Sequence, residues 1–519
     1  MSSLTQRLRA LTPAVLNAMR RGVEKESLRV RPDGALALTP HPLALGSALT
    51  HPHITTDFSE SQLELITGVH ANAEGCLEEL GEIHRMVIRN IGEEMLWGAS
   101  MPCLLPAEAQ IPLGRYGDSN VGRAKTVYRT GLGHRYGRRM QTISGIHYNF
   151  SLPLEDPNRQ YFALIRNFRR HSWLLLFLFG ASPAVCASFV AGRSHELQVL
   201  KEGSLYLPHA TSLRMGRLGY QSDAQASLAV SYNNLENYGA SLQDALTRPY
   251  PPYEAIGVRG PEGEYRQLGT TLLQIENEFY GTIRPKRVIL QGERPLHALR
   301  ERGVEYVEVR CMDLDPFSPT GIEAPVMRLL DVFLLHCLLS DSPPDTAEEI
   351  AALARNQHRV AARGREPGLE LERNGKGVAL AEWAGRLLEE FEPIAAALDG
   401  AHGGASHRDA LAGAVAALAD PSRLPSARML DEMQRHHDNS CLRFAIARSA
   451  AHRDELLRQP LAPEVEARFM RLARDSVAEQ VQIEAQDSIP FEEFRQNYLD
   501  PARLGLQPAR RGATKVLER

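Results

Sequence analysis

A chain of 519 residues carrying 59 basic and 63 acidic side chains has a net charge of −4, which leaves ample length for a large core and no cationic surplus for nucleic acid. Its apolar (43%), charged (24%) and aromatic (6%) contents are those of an ordinary soluble globular protein. The start, Met1-Ser-Ser-Leu-Thr-Gln-Arg7, lacks the apolar core of a signal peptide, and the longest apolar run, Trp173–Phe179, falls far short of the ~20 residues that span a bilayer.

No membrane partner is therefore expected, and Trp173–Phe179 reads as a buried helix or strand. The six cysteines, Cys76, Cys103, Cys186, Cys311, Cys337 and Cys441, are scattered with no C-x-x-C pair and no zinc-like spacing. A reducing, cytoplasmic setting is the simpler reading.

In chain order, residues 4–20 read as a helix, and Val23-Glu-Lys-Glu-Ser-Leu-Arg-Val30 reads as a strand with Glu24 and Glu26 on one face, because side chains alternate across a strand. After a Pro- and Gly-rich stretch come Thr55, Asp57, Gln62, Glu64 and Ile66, which set further acids on strand-like backbone. Leu77, Leu80, Ile83, Met86, Val87 and Ile91 follow a helical period over residues 73–94. Residues 104–139, rich in Gly, Arg and Tyr without periodicity, read as a long lid or binding loop. Gly145-Ile-His-Tyr-Asn-Phe-Ser-Leu152 is a strand that puts His147, Asn149 and Ser151 on one face. Residues 161–170 look helical, and residues 209–220 look like a polar loop.

Gln274-Ile-Glu-Asn-Glu278 again reads as strand-like, with Glu276 and Glu278 on one face. Directly after it, Ile283-Arg-Pro-Lys-Arg287 offers Arg284, Lys286 and Arg287 as a basic cluster suited to polyphosphate. In Gly303-Val-Glu-Tyr-Val-Glu-Val-Arg310, Glu308 and Arg310 share a face with Val304 and Tyr306. From Pro325 onward the chain turns helical, with runs at 326–339, 346–363, 380–398 and 464–484. These patterns predict an α+β fold with a catalytic core over residues 1–339 and a mainly helical region over 340–519 packed on it, not an independent domain. The basic tail at Arg510, Arg511, Lys515 and Arg519 reads as a solvated terminus.

A lone Glu-x-Glu on a strand reads as a solvated face, and Arg310 by itself reads as a partner for Glu308. Several such faces together need a cation to relieve their repulsion, and hard divalent ions take oxygen ligands of this kind. There is no Walker motif and no G-x-G-x-x-G after a strand. Tyr128, Tyr220 and Tyr280 read on their own as half-buried aromatics.

The blocks around Arg21–Val30, Ile54-Thr-Thr-Asp-Phe-Ser-Glu60, Met140-Gln-Thr-Ile-Ser-Gly-Ile-His-Tyr-Asn-Phe-Ser151, Leu178-Phe-Gly-Ala-Ser-Pro183, Gln274–Glu278, Ile283–Arg287 and Val304–Arg310 together closely resemble the proteobacterial glutamate–cysteine ligase family. The resemblance implies a glutamine synthetase-like antiparallel sheet curved into a trough with flanking helices. It implies Mg²⁺, with Mn²⁺ able to substitute, held by Glu26, Asp57 and Glu64 at one position and by Glu24, His147 and Glu308 at another. It implies a catalytic Arg310 beside Glu308, and a cysteine pocket lined by Tyr128, Ile143, Arg214, Tyr220 and Tyr280. The implied substrates are L-glutamate, L-cysteine and ATP, with glutathione as a feedback inhibitor of a monomeric enzyme. Two other readings stay open: a ligase of the same architecture using another amine, and a metal-binding regulatory protein without turnover.

Overall fold

A computed structural model describes residues 3–201, 203–219, 223–226, 228–290 and 292–505. Its strands are β1 (Arg20–Val30), β2 (Ile54–Thr56), β3 (Gln62–Ile66), β4 (Met95–Leu96), β5 (Ile146–Ser151), β6 (Ala184–Cys186), β7 (Gln198–Lys201), β8 (Ser204–Tyr206), β9 (Ile283–Lys286), β10 (Tyr306–Met312), β11 (Glu370–Arg373) and β12 (Lys376–Ala379). The main sheet runs β2-β3-β1-β5-β10-β9, with β4 also paired to β1, and its strand pairs are antiparallel. Such a sheet can keep one polar face while the other is packed. Helices flank it and dominate the chain after Ala347, so the α+β expectation holds.

The packed face buries Val23, Tyr148, Phe150, Val307 and Val309 against the helices Pro157–His171, Trp173–Phe179 and Ala324–Leu339. In the last of these the consecutive residues Leu329 to Cys337 are all buried, as in a helix covered on every side. Each large apolar side chain removed from water there contributes ~1.5–3 kcal/mol. Three cations of β1 also point to this side, and each meets a partner: Arg21 Nη2 lies 2.9 Å from Asp331, Lys25 Nζ 2.8 Å from His84 Nε2, and Arg29 Nη1 2.7 Å from Glu94. Burial lowers the Lys25 amine to about 7. No helix among the described residues is long and apolar enough to cross a membrane.

Four expectations change. Residues 104–139 are not a loop throughout: Asn120–Tyr136 is a helix capped by Ser119. Its period is hidden by glycines needed for close packing, since a Cβ on Gly122 would lie 2.2 Å from the Tyr116 carbonyl and one on Gly131 2.3 Å from the Gln274 side chain. Residues 4–20 form two short helices, Ser3–Ala10 and Pro13–Asn17, because Pro13 cannot continue the first. Glu276–Glu278 is a 3₁₀ turn and not a strand. Cys103 and Cys186 form a disulfide with Cα atoms 5.2 Å apart, so the reduced state read for all six thiols does not hold for these two. The other four cysteines are free and buried.

Candidate active site

The polar sheet face is assembled by strand register. Glu26 stands opposite Glu64 across β1 and β3, and Glu24 opposite His147 across β1 and β5. On the next strand, Glu308 of β10 stands opposite Asn149 of β5 and Arg284 of β9. Like charges directly across a strand pair are destabilising, so this face stores repulsion where a core would store apolar contact.

Above it lies a cavity of about 380 Å³. Glu24, Asp57, Glu64, His147, Glu308 and Arg310 line its base, while Tyr128, Tyr280, Arg284 and Lys286 stand on its walls. Oxygens of Glu24 and Glu64 and a ring nitrogen of His147 lie within 4.8 Å of one another. His147 Nδ1 is 3.2 Å from Glu24 and 4.0 Å from Glu308, and its Nε2 is 3.4 Å from Glu26. Burial, reinforced by Glu24, Asp57 and Glu26, pushes the Glu64 carboxyl well above its usual range. Such a group, rich in oxygen with one imidazole and short of positive charge, fits a divalent cation.

Glu308 is 1% exposed, with Lys286 Nζ at 3.1 Å and Arg310 Nη1 at 2.9 Å. Burial opposes its ionisation, but Lys286, Arg310, His147 and Arg284 outweigh burial and hold the carboxyl well below the usual range. The same balance runs at Glu24, where burial and Glu308 raise the carboxyl, but His147 and Lys286 bring it below its ordinary value.

Four of the sequence-predicted residues lie off this cavity. Glu26, 3% exposed, accepts from the Gly145 amide at 2.8 Å; Ile143 and Arg214, 1% and 2% exposed, sit beneath. Arg287 turns to Glu305, 3.4 Å away, and to the Arg302 carbonyl. Tyr220 lies outside the described residues. Glu276 and Glu278, which alternation placed with the acids, turn instead to Arg294 at 2.6 Å and Arg135 at 2.8 Å.

Other residues escaped the reading. Lys125 and Arg129, one turn apart on Asn120–Tyr136, face the cavity, and both stand over the Tyr116 ring, at 5.2 and 4.4 Å. Burial, then Arg129, lowers the Lys125 amine to about 8. Their i, i+4 spacing was the available signal. Gln141 donates to the Tyr280 hydroxyl at 2.7 Å. Phe494 and Tyr498, from the late helix Phe491–Leu499, complete the wall, and nothing local in the sequence could place them there.

A family model described as glutamate-cysteine ligase matches residues 6–360. The chain belongs to the glutamate-cysteine ligase family. It is 48% identical to a glutamate–cysteine ligase of Alcanivorax borkumensis, over 96% of this chain and 99% of that one. With that of Pseudomonas entomophila it shares 50% identity over 95% and 97% of the two chains. Among solved structures, the glutamate–cysteine ligase of Francisella tularensis in complex with AMP superposes with a TM-score of 0.89 at 35% identity, covering 93% of this chain and 97% of that one. The site described above falls within the part that the family model matches, apart from the wall supplied by Phe494 and Tyr498.

Proposed function

We propose that the chain joins the γ-carboxylate of glutamate to the amine of L-cysteine at the expense of ATP, giving γ-glutamylcysteine, ADP and phosphate, the first step of glutathione synthesis. The observation that carries this reading is one cavity in which the half-buried Glu24, Asp57 and Glu64 and the buried Glu308 form the base and Arg284, Lys286 and Arg310 form the cationic side, in a chain of this family. The AMP held by the Francisella tularensis relative supports ATP as the co-substrate.

A carboxylate is a poor electrophile, so it must first become an acyl phosphate. Arg310, oriented by Glu308, meets charge on the phosphoryl group in transfer, and Arg284 and Lys286 hold the polyphosphate. Lys125 and Arg129 offer cations to a substrate carboxylate on the opposite wall. Glu24, Glu64 and His147, with Glu26, Asp57 and Glu308 around them, would hold Mg²⁺ or Mn²⁺, which would supply positive charge to phosphate oxygens. The cysteine amine then attacks the acyl phosphate and expels phosphate, with Tyr128 and Tyr280 as walls for its side chain. Glutathione contains the γ-glutamylcysteine unit and so suits the same cavity as an inhibitor.

The test is phosphate release from ATP and glutamate with a panel of amines, in wild type and Tyr280→Ala. L-cysteine should be preferred and 2-aminobutyrate accepted, since the amine and not the thiol attacks. Tyr280→Ala should raise KM for cysteine far more than for ATP or glutamate. Preference for ammonia or another amine would overturn the cysteine assignment, and absence of glutamate-dependent release would overturn the ligase.

A further inference from the structure

Leu178-Phe-Gly-Ala-Ser-Pro183 has no part in the chemistry above, and neither does the buried acid Asp313, three residues past Arg310. The fold brings them together. Asp313 is 5% exposed, and its Oδ2 accepts from the Ala181 amide at 2.8 Å and from Ser182 Oγ at 2.7 Å. Its Oδ1 accepts from Ser212 Oγ at 2.9 Å and lies 3.9 Å from Arg214 Nη1. Ser182 Oγ in turn accepts from the Arg214 amide at 3.3 Å.

Arg214 reaches from this acid to the backbone beneath the site. Its Nη2 donates to the Arg310 carbonyl at 3.1 Å. That carbonyl belongs to a β-bulge: between the pairs Val309–Tyr148 and Met312–Ile146, the two residues Arg310 and Cys311 face the single residue His147. Bulges disturb the ladder and re-aim side chains. The same guanidinium fills the space over Gly145, where a Cβ would lie 2.1 Å from Nη2. Gly145 is also tied to the acid face, its amide donating to Glu26 Oε2 at 2.8 Å and its carbonyl accepting from the Glu26 amide at 3.0 Å.

We propose that Asp313, with Ser182 and Ser212, is a positioning residue that fixes Arg214 against Gly145 and the Arg310 carbonyl, and so sets the bulge that directs Arg310 at the transferred phosphoryl group. This deepens the proposed ligase reading and rests on it. Asp313 contacts no substrate in this scheme. Its carboxylate accepts three hydrogen bonds, which an amide of the same size cannot do, so Asp313→Asn keeps the volume and loosens the bracket.

The experiment uses the full chain and measures kcat, the three KM values and the thermal midpoint for wild type, Asp313→Asn, Arg310→Ala and their double variant. Asp313→Asn should lower kcat about 10²-fold, the scale of a small misplacement transmitted from outside the chemistry, with KM values changed by no more than about twofold and the protein folded at the assay temperature. In the Arg310→Ala background the same change should cost nothing further, because its effect runs through Arg310. Equal losses in both backgrounds, or a loss that only follows the unfolded fraction, would overturn the proposal. If Asp313→Asn does not fold, the Ser182→Ala, Ser212→Ala pair enters the same cycle with the same criterion. Wild-type turnover separates the two levels: its absence removes the ligase reading and this role with it, whereas an active wild type with an unaffected Asp313→Asn removes this role alone.

Discussion

At the scale of single residues, Glu308 and Arg310 are the pair to which we assign phosphoryl transfer, and Lys286 gives Glu308 a second cation. Because Lys286 also faces Glu308, at 3.1 Å, removing Arg310 leaves Glu308 with a cation. Arg310→Ala should therefore lower kcat by roughly 10³-fold, as for other arginines that stabilise phosphoryl transfer, while the melting profile stays close to wild type. Phosphate release and a thermal melt on the same preparation check both halves. A variant with near wild-type turnover would reduce Arg310 to a partner of Glu308. The alternation that put these two side chains on one face was legible in eight consecutive residues, because strand geometry fixes the period locally.

At the scale of elements, the turn Glu276–Glu278 shows where that logic fails. Two acids spaced i, i+2 looked like another ligand face, yet the backbone turns as a 3₁₀ helix. Glu276 accepts from Arg294 Nε and Nη2 and from the Leu296 amide at the start of the helix Pro295–Arg302. Glu278 accepts from Arg135, from the Tyr136 hydroxyl and from the Gln274 amide. The two side chains of the Glu276–Arg294 pair are 5% and 2% exposed. Arg294→Ala leaves a buried carboxylate without its cation and should cost roughly 3–5 kcal/mol, read as a lowered midpoint in urea unfolding. A loss below about 1 kcal/mol, the range of exposed pairs, would show that water reaches Glu276. The helix Asn120–Tyr136 was hidden for a related reason: Gly131 makes room for Gln274, a neighbour distant in sequence.

At the scale of the whole molecule, the repulsion on the acid face is concentrated at Glu64, and a bound cation would relieve it. The Glu64 carboxyl, raised by burial and then by Glu24, Asp57 and Glu26, favours its protonated form in the folded protein. Its contribution to stability is full below the ordinary carboxylate value and is lost as pH rises through the raised one. A divalent ion needs the ionised oxygens, so the gain in Tm on adding Mg²⁺ should grow with pH across that interval. Glu64→Gln should flatten this dependence, and excess chelator should abolish turnover until Mg²⁺ or Mn²⁺ is restored. Thermal melts with and without Mg²⁺ over a pH series, alongside assays in chelator, provide the check. A gain independent of pH in both proteins, or turnover in excess chelator, would contradict it.

By itself the sequence determined the strands that carry Glu24, Glu26, His147, Glu308 and Arg310, the helical run after Pro325, and the ordered blocks that resemble the family. These follow from periodicity and from residue order, which need no knowledge of distant neighbours. Tertiary structure decided the rest. It paired Cys103 with Cys186, drew Glu276 and Glu278 away to Arg294 and Arg135, and brought Lys125, Arg129, Phe494 and Tyr498 to the cavity. Each of those outcomes depends on which segment arrives next to which, and long-range packing settles that only once the sheet register and the helices around it are in place.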